Sequence, residues 1–234
     1  MNSTTYMQQL SQIETYFNRT AVDAWRKLTS DAPVNRIRAT VRAGRDRMRS
    51  TILSYLPEDL RGRRVLDAGC GTGAFAFEAA RRGADVIAID ISPKLVDMAR
   101  ERLPENIGSG SIKFEAGDML DPVYGDFDHV VAMDSMIHYR TDDLIKMLVS
   151  LSLRASRSII FTHAPRTPLL MAMHTIGQIF PRGNRSPAIV PVATKKIQQS
   201  LREKLSEEAW GIGRNQRVTS GFYLSCAQEL KKRD

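Results

Sequence analysis

The chain has 234 residues, 42% of them apolar and 26% charged, with 15 Gly and 10 Pro. That profile is expected of an ordinary folded protein of one domain, with room for an appendage, and it excludes disordered and collagen-like chains. Of the formal net charge of +8, most is local: residues 19–64 hold 12 Lys or Arg against 5 Asp or Glu, a net +7, and the rest is nearly balanced. Such a segment attracts nucleic acid, an anionic membrane surface or an acidic small molecule, and charge alone does not choose among them.

Residues 1–9 are polar and uncharged, unlike a secretory signal, and no run approaches the roughly 18 apolar residues that a spanning helix needs. An intracellular, cytoplasmic protein is the expectation. Cys70, Cys226 and four scattered histidines give neither a disulfide framework nor metal-ligand spacing. Reduced thiols that serve packing, and no metal site built by the protein, follow from that.

Taken in order, residues 5–55 read as mostly helical, with a break at residues 29–34 (TSDAPV) where Ser30 or Asp31 can cap and Pro33 can open the next helix. The first helix carries Tyr6, Leu10, Ile13 and Phe17, the pattern of an amphipathic arm lying on the main body. In the second, Ile37, Val41, Met48 and Ile52 keep helical spacing, while Arg38, Arg42, Arg45 and Arg49 share one face at i, i+4, i+7 and i+11. Residues 1–60 are therefore assigned to a helical arm or lid, and residues 61–234 to the main domain.

Beyond residue 64 the pattern changes to short apolar runs, RRVLDAG, ADVIAID, IKFEAGD, FDHVVAMDS and RSIIFTHAP, which read as buried strands. Between them, residues 74–82, 93–103 and 141–153 read as helices. Residues 212–219 and 221–227 add two strands joined by a tight Ser220-Gly221 turn. The fold expected is α/β: a Rossmann-like, doubly wound seven-stranded sheet with an antiparallel terminal hairpin, an N-terminal helical arm and an insertion after strand five. That insertion, residues 165–210, holds an apolar helix (LLMAMHTIGQIF), a Pro/Gly/Arg-rich loop (PRGNRSPAIVP) and an amphipathic helix from Thr194.

Residues 67–73 (DAGCGTG) follow a strand and open a helix, so that the glycines allow a tight turn and bring backbone N–H groups against a ligand. Gly69, Gly71 and Ala74 also satisfy the loose dinucleotide pattern, and the loop alone leaves the ligand open. Asp67 leans the other way, because a carboxylate there repels a pyrophosphate and favours the ammonium of S-adenosylmethionine; its bland reading is a turn cap. Asp90, at the end of strand two, can accept both hydroxyls of a ribose, as dehydrogenases also do. Asp118, at the end of strand three, can accept from an adenine amino group while Met119 covers the ring. Ile91, Met133 and Asp134 complete the expected donor set together with Gly73.

The succession DAGCGTG, AID, AGDML and VVAMDSMIHY resembles the class I S-adenosylmethionine-dependent methyltransferases. More narrowly, YFNRTAVDAW, RAGR, MDSMIHY, FTHAPRTPLL, IGQIFP and GFYLS resemble the magnesium-protoporphyrin IX methyltransferases of bacteriochlorophyll and chlorophyll synthesis, from Tyr16 to Ser225. The resemblance implies esterification of one propionate of the magnesium porphyrin. It also implies contact with the large subunit of magnesium chelatase and a peripheral place on the photosynthetic membrane. No nucleic-acid partner is expected, because stacking aromatics are not interleaved with the arginine face.

Esterifying an ionised propionate needs orientation and no strong base. His138, four residues past Asp134, is the main catalytic candidate, as a hydrogen-bond donor to the acceptor carboxylate; a loop-satisfying histidine is its plain alternative. Tyr16 on the arm is the second, closing over the donor, against a role as an aromatic anchor. His163 and His174 flank or enter the insertion and are weighed as axial ligands of the porphyrin magnesium, and His129 as structural. Leu169, Leu170, Met171 and Met173 offer apolar walls, with Arg166 or an arginine of the second helix as the carboxylate partner. Three other readings stand beside this one: a methyltransferase for a quinone or phenol precursor, a nucleic-acid-binding protein using the arginine face, and a nicotinamide-dependent oxidoreductase.

Overall fold

In the computed structural model, which describes residues 4–20, 36–167, 188–205 and 209–233, the five apolar runs become β1 (Arg64–Ala68), β2 (Asp85–Asp90), β3 (Ser111–Ala116), β4 (Phe127–Ala132) and β5 (Ala155–His163). Two long strands follow, β6 (Trp210–Ser220) and β7 (Tyr223–Lys232). All seven join one sheet in the order β3-β2-β1-β4-β5-β7-β6. The first five strands pair in parallel, whereas β7 runs antiparallel to both β5 and β6. The order reverses between β1 and β4, and open α/β sheets bind ligands outside the carboxyl ends of the strands at such a point.

Strand residues two apart share a face, so each buried strand feeds two cores. Leu66, Ile89, Val130 and Ile159 pack on one side with α1 (Thr4–Thr15), the later helix of residues 141–152 and the helix of residues 194–204. Val65, Ala88, Val131 and Ile160 pack on the other, beneath α2 (Arg36–Leu53) and α3 (Ala74–Arg81). In chain order the remaining helices are α4 (Pro93–Glu101), α5 (Thr141–Ser152) and α6 (Thr194–Lys204). Ser92 caps α4 with its hydroxyl on the Leu95 N–H, and Pro93 opens the first turn, where its missing N–H costs nothing.

Differences from the sequence reading are local and have identifiable causes. The hairpin turn is Gly221-Phe222 and not Ser220-Gly221, since Ser220 pairs with Tyr223. Gly221, with φ of 54°, supplies the positive φ that a two-residue turn of this kind needs at its first position. Ile37 keeps helical spacing yet is 51% exposed, because it lies on the first turn of α2, whose buried residues begin only at Gly44. Ser30, Asp31, Pro33, the apolar helix of the insertion and most of its Pro/Gly/Arg-rich loop lie outside the described residues.

The contact that fixes α2 is close. Phe222 donates its N–H to Thr40 Oγ1 at 3.4 Å, and Arg47 reaches the Thr219 carbonyl at 3.3 Å. Gly44 lies against the ring of Tyr223, where an added Cβ would fall 2.5–2.6 Å from Tyr223 Cδ1, Cβ and Cγ. Met48 and Ile52 then sink fully into the core below. Gly44→Ala must therefore lift α2 or displace Tyr223, at a cost of about 1–3 kcal/mol. Thermal unfolding should show a lowered Tm, and an unchanged Tm would mean that the helix and hairpin are not in this tight contact.

Candidate active site

Beyond the carboxyl ends of β1, β2, β4 and β5 opens a cleft of about 930 Å³, walled on its far side by residues of α1, of the π-helical turn Tyr16–Thr20 and of α2. Its two sides carry opposite kinds of titratable group, acids on one and arginines on the other. On the strand side, Asp67 and Asp90 are both buried and both line the cleft. One side of the Asp67 carboxylate accepts from the backbone of Ala76 at the start of α3, as a turn cap would, but its Oδ2 has no hydrogen-bond partner. Burial and the neighbouring Asp90 push the Asp67 carboxyl up to about 8. A cation with N–H donors would relieve both effects.

The glycine loop does not work as an anion cradle. Gly69 and Cys70 donate their N–H groups to the Ile89 carbonyl, Gly71 donates to Asp90 Oδ2 at 2.9 Å, and Gly73 donates to the Cys70 carbonyl. These four donors are spent inside the protein, which corrects the expectation that they would face a ligand. What the loop presents is a curved backbone, with positive φ at Gly69, Gly71 and Gly73, laid over two acids. Asp90 also accepts from the Ser92 N–H at 2.9 Å, so its carboxylate is oriented before any ligand arrives.

Ile91, Met119 and Met133 line the same cleft as expected, while Gly73 and Asp118 stand just outside its lining. Asp118 is tied to the arm: Tyr6 donates its hydroxyl to Asp118 Oδ1 at 2.6 Å, and the Tyr6 ring stacks on Tyr139 with centroids 5.5 Å apart. Asn18 accepts from Ser92 Oγ at 2.7 Å, a second tie, between the arm and the loop after β2. Neither link has a signature in the sequence, because each joins residues more than 70 positions apart.

The opposite wall is basic. Arg38, Arg42, Arg45 and Arg49, the shared face of α2, all line the cleft. Arg166, the alternative carboxylate partner, is exposed and is not part of the lining.

At the corner where the walls meet stands Asp134, the sole non-glycine residue with positive φ among the described residues, at 55°. Its Oδ2 accepts from Arg45 at 2.8 Å, the Tyr223 hydroxyl lies 3.1 Å from both oxygens, and Thr162 Oγ1 donates to Oδ1 at 3.1 Å. Thr162 Oγ1 in turn accepts the Asp134 N–H at 2.7 Å. This cluster draws α2, β5 and β7 to the end of β4. In the sequence Asp134 and Arg45 stand out separately, whereas nothing there marks Tyr223 or Thr162 as their partners.

His138 and Tyr16 both line the cleft. His138 is buried, with Nδ1 3.4 Å from the Ala188 carbonyl and its ring 6.3 Å from that of Phe17, which packs edge-on against Tyr16. His163 is absent from the lining; it is buried in β5 with Nε2 2.9 Å from Thr194 Oγ1, which removes it as an axial ligand. His129 pairs with Ser158 Oγ at 2.8 Å inside the sheet, the structural place expected for it. Burial lowers both of these histidines to about 4, so they stay neutral. Cys70 and Cys226 are buried free thiols whose pKa is raised by burial, unlike nucleophiles. His174, Leu169, Leu170, Met171 and Met173 lie outside the described residues. No group of three or more metal-ligating side chains occurs among the described residues.

Two family models match. One, described as magnesium-protoporphyrin IX methyltransferase C-terminus, matches residues 132–232; the other, methyltransferase domain, matches residues 65–155. A magnesium-protoporphyrin O-methyltransferase of Rhodobacter capsulatus is 49% identical over 227 residues, covering 97% of this chain and 98% of its own. One of Synechocystis is 31% identical, covering 91% and 92%. In three dimensions the chain is similar to the crystal structure of magnesium protoporphyrin IX methyltransferase from Synechocystis PCC 6803 with bound SAH. The TM-score is 0.82 at 29% identity, with 95% of this chain and 99% of that one covered.

The buried, half-partnered carboxyl of Asp67 has a measurable consequence in the ligand-free protein. In the unfolded chain an Asp titrates near 3.9, so between about pH 4 and 8 the folded protein holds a proton that the unfolded chain has lost. Stability from this group accordingly falls as pH rises through that window. Asp67→Asn, neutral and of the same shape, should match the wild type near pH 4 and unfold at a higher Tm near pH 8. A difference in Tm that stays constant across the window would contradict the raised pKa.

Proposed function

Because the chain belongs to the magnesium-protoporphyrin IX methyltransferase family, we propose that it transfers a methyl group from S-adenosylmethionine to one propionate carboxylate of magnesium protoporphyrin IX. The product is the monomethyl ester, a step of bacteriochlorophyll and chlorophyll synthesis. The observation that carries the reading is the charge division of the cleft, with two buried acids on the strand side and four arginines of α2 facing them. A sulfonium donor with an ammonium group matches the first wall and an acidic porphyrin matches the second. A pyrophosphate matches neither the acids nor a loop four of whose N–H groups are already bonded.

The residues fit the donor. Asp67 has an unpartnered oxygen for its ammonium, Asp90 is oriented for its ribose, and Met119 and Ile91 offer apolar cover for its adenine. When bound, the donor supplies an electrophilic methyl group on a positive sulfur. A propionate oxygen forms the new bond to that carbon while the carbon–sulfur pair stays on sulfur, and no proton moves. A carboxylate with a pKa near 4.3 is already ionised at neutral pH, so the protein's task is alignment, worth roughly 7–11 kcal/mol in favourable cases. His138, on the acceptor side past β4, donates a hydrogen bond that selects the attacking oxygen, and Tyr16 closes over the reacting groups from the arm. The arm acts as a lid that admits a bulky acceptor and excludes water once Tyr6 meets Asp118.

No helix among the described residues is long and apolar enough to cross a membrane. A peripheral contact with the photosynthetic membrane, and delivery of the porphyrin by the large subunit of magnesium chelatase, belong to the same reading. Ile189 and Phe222, exposed apolar residues of the cleft lining, and Ile37 on the outer turn of α2 support an apolar contact there.

Incubation with labelled donor and a panel of acceptors should place one methyl on magnesium protoporphyrin, and no transfer to any porphyrin would overturn the proposal. His138→Ala should lower turnover while calorimetry finds the affinity for S-adenosylhomocysteine little changed; full turnover would make the residue structural. For Asp90→Ala, the loss of charge-assisted hydrogen bonds of about 1.5–3 kcal/mol should raise that dissociation constant tenfold to a hundredfold. An unchanged constant would remove Asp90 from the donor site.

A further inference from the structure

The Asp134 corner asks for a function beyond holding elements together. Its backbone is in the left-handed region, tolerated by Asp but unfavourable, and such conformations persist where the surroundings over-determine them. Here they do: Tyr223 and Thr162 fix the carboxylate from β7 and β5, and Ser225 Oγ approaches at 3.4 Å. The adjacent Ser135 donates to the Ala68 carbonyl at 2.7 Å and fills the space against Gly69, which sets the corner beside the glycine loop. On this rigid anion Arg45 is seated at 2.8 Å, its side chain 22% exposed and lining the cleft. A guanidinium is planar and carries five N–H donors, so one fixed edge determines where its others point.

We propose that Arg45 binds the propionate that is methylated and that Asp134 is a positioning residue that fixes the plane of the guanidinium beside the donor. The inference rests on the acceptor being an acidic magnesium porphyrin, and it selects one arginine of four. Arg45 is distinguished by its rigid partner and by its place at the loop end of the cleft. In this proposal Asp134 acts through Arg45, a role different from the donor-binding one expected for it.

The test uses the full chain saturated with S-adenosylhomocysteine and compares binding of magnesium protoporphyrin with that of its dimethyl ester, which lacks the carboxylates. Wild-type protein should prefer the diacid, and Arg45→Ala should shrink that preference tenfold to a hundredfold while the affinity for S-adenosylhomocysteine holds. Arg45→Gln keeps the stem and a donor for Asp134, and gives the same readout should the alanine protein not fold. In turnover, Asp134→Asn, which suits the same backbone, should lower kcat and raise KM for the porphyrin. Arg45→Lys should restore part of the binding and little of the rate. A diacid preference unchanged in Arg45→Ala or Arg45→Gln, or an Asp134→Asn protein altered only in Tm, would overturn the proposal. Wild-type protein that esterifies no porphyrin would instead overturn the functional reading on which it rests.

Discussion

One carboxylate, that of Asp134, meets three elements that are remote in sequence: α2 through Arg45, β5 through Thr162, and β7 through Tyr223 and Ser225, all at the end of β4. The antiparallel return of β7 beside β5 brings Tyr223 there, and the close contact at Gly44 brings α2 over Tyr223. A buried or partly buried ion pair adds little net stability against an apolar replacement, but breaking one side of it is costly, and its geometry is specific. The pair therefore does less to hold the fold together than to decide where α2 lies. Where α2 lies decides where four arginines point.

The acid side is built from the opposite economy of groups. The glycine loop spends four of its N–H donors on Ile89, Asp90 and Cys70, and leaves one buried carboxylate oxygen of Asp67 without a hydrogen-bond partner. A buried carboxyl without a full set of partners resists ionisation, and a cationic ligand restores the charge by pairing with it. A cationic ligand at Asp67 would correct an imbalance that folding leaves behind. Elsewhere in the core the same cost is avoided by keeping the group neutral, as His129 and His163 do.

Much of the fold was legible because it repeats with a period. Alternation and continuous apolar runs marked all seven strands, and the arginine face of α2 emerged from helical spacing alone. The turn register at Gly221-Phe222 was missed by one residue, since Ser-Gly and Gly-Phe both allow a positive φ at glycine. Exposure of Ile37 was illegible, because spacing reports a face and not how far along it the body extends. The acids of the site were visible as strand-end residues, whereas their partners were not: Arg45 and Tyr223 each stand 89 positions from Asp134, and side-chain pairs over such distances leave no local pattern. The same holds for Tyr6 and Asp118. His163 looked available beside the insertion, and only its inward place in β5 against Thr194 excludes it.

In the proposed reaction one cleft holds a cationic donor on its acids and an anionic acceptor on its arginines, with transfer at the corner between them. A crystal structure of the chain with S-adenosylhomocysteine and magnesium protoporphyrin tests this most directly. The donor's amino group is expected within hydrogen-bond distance of Asp67, its ribose on Asp90, and one propionate between Arg45 and His138 with an oxygen facing the sulfur. Both propionates directed to solvent, or a donor amino group away from Asp67, would contradict it.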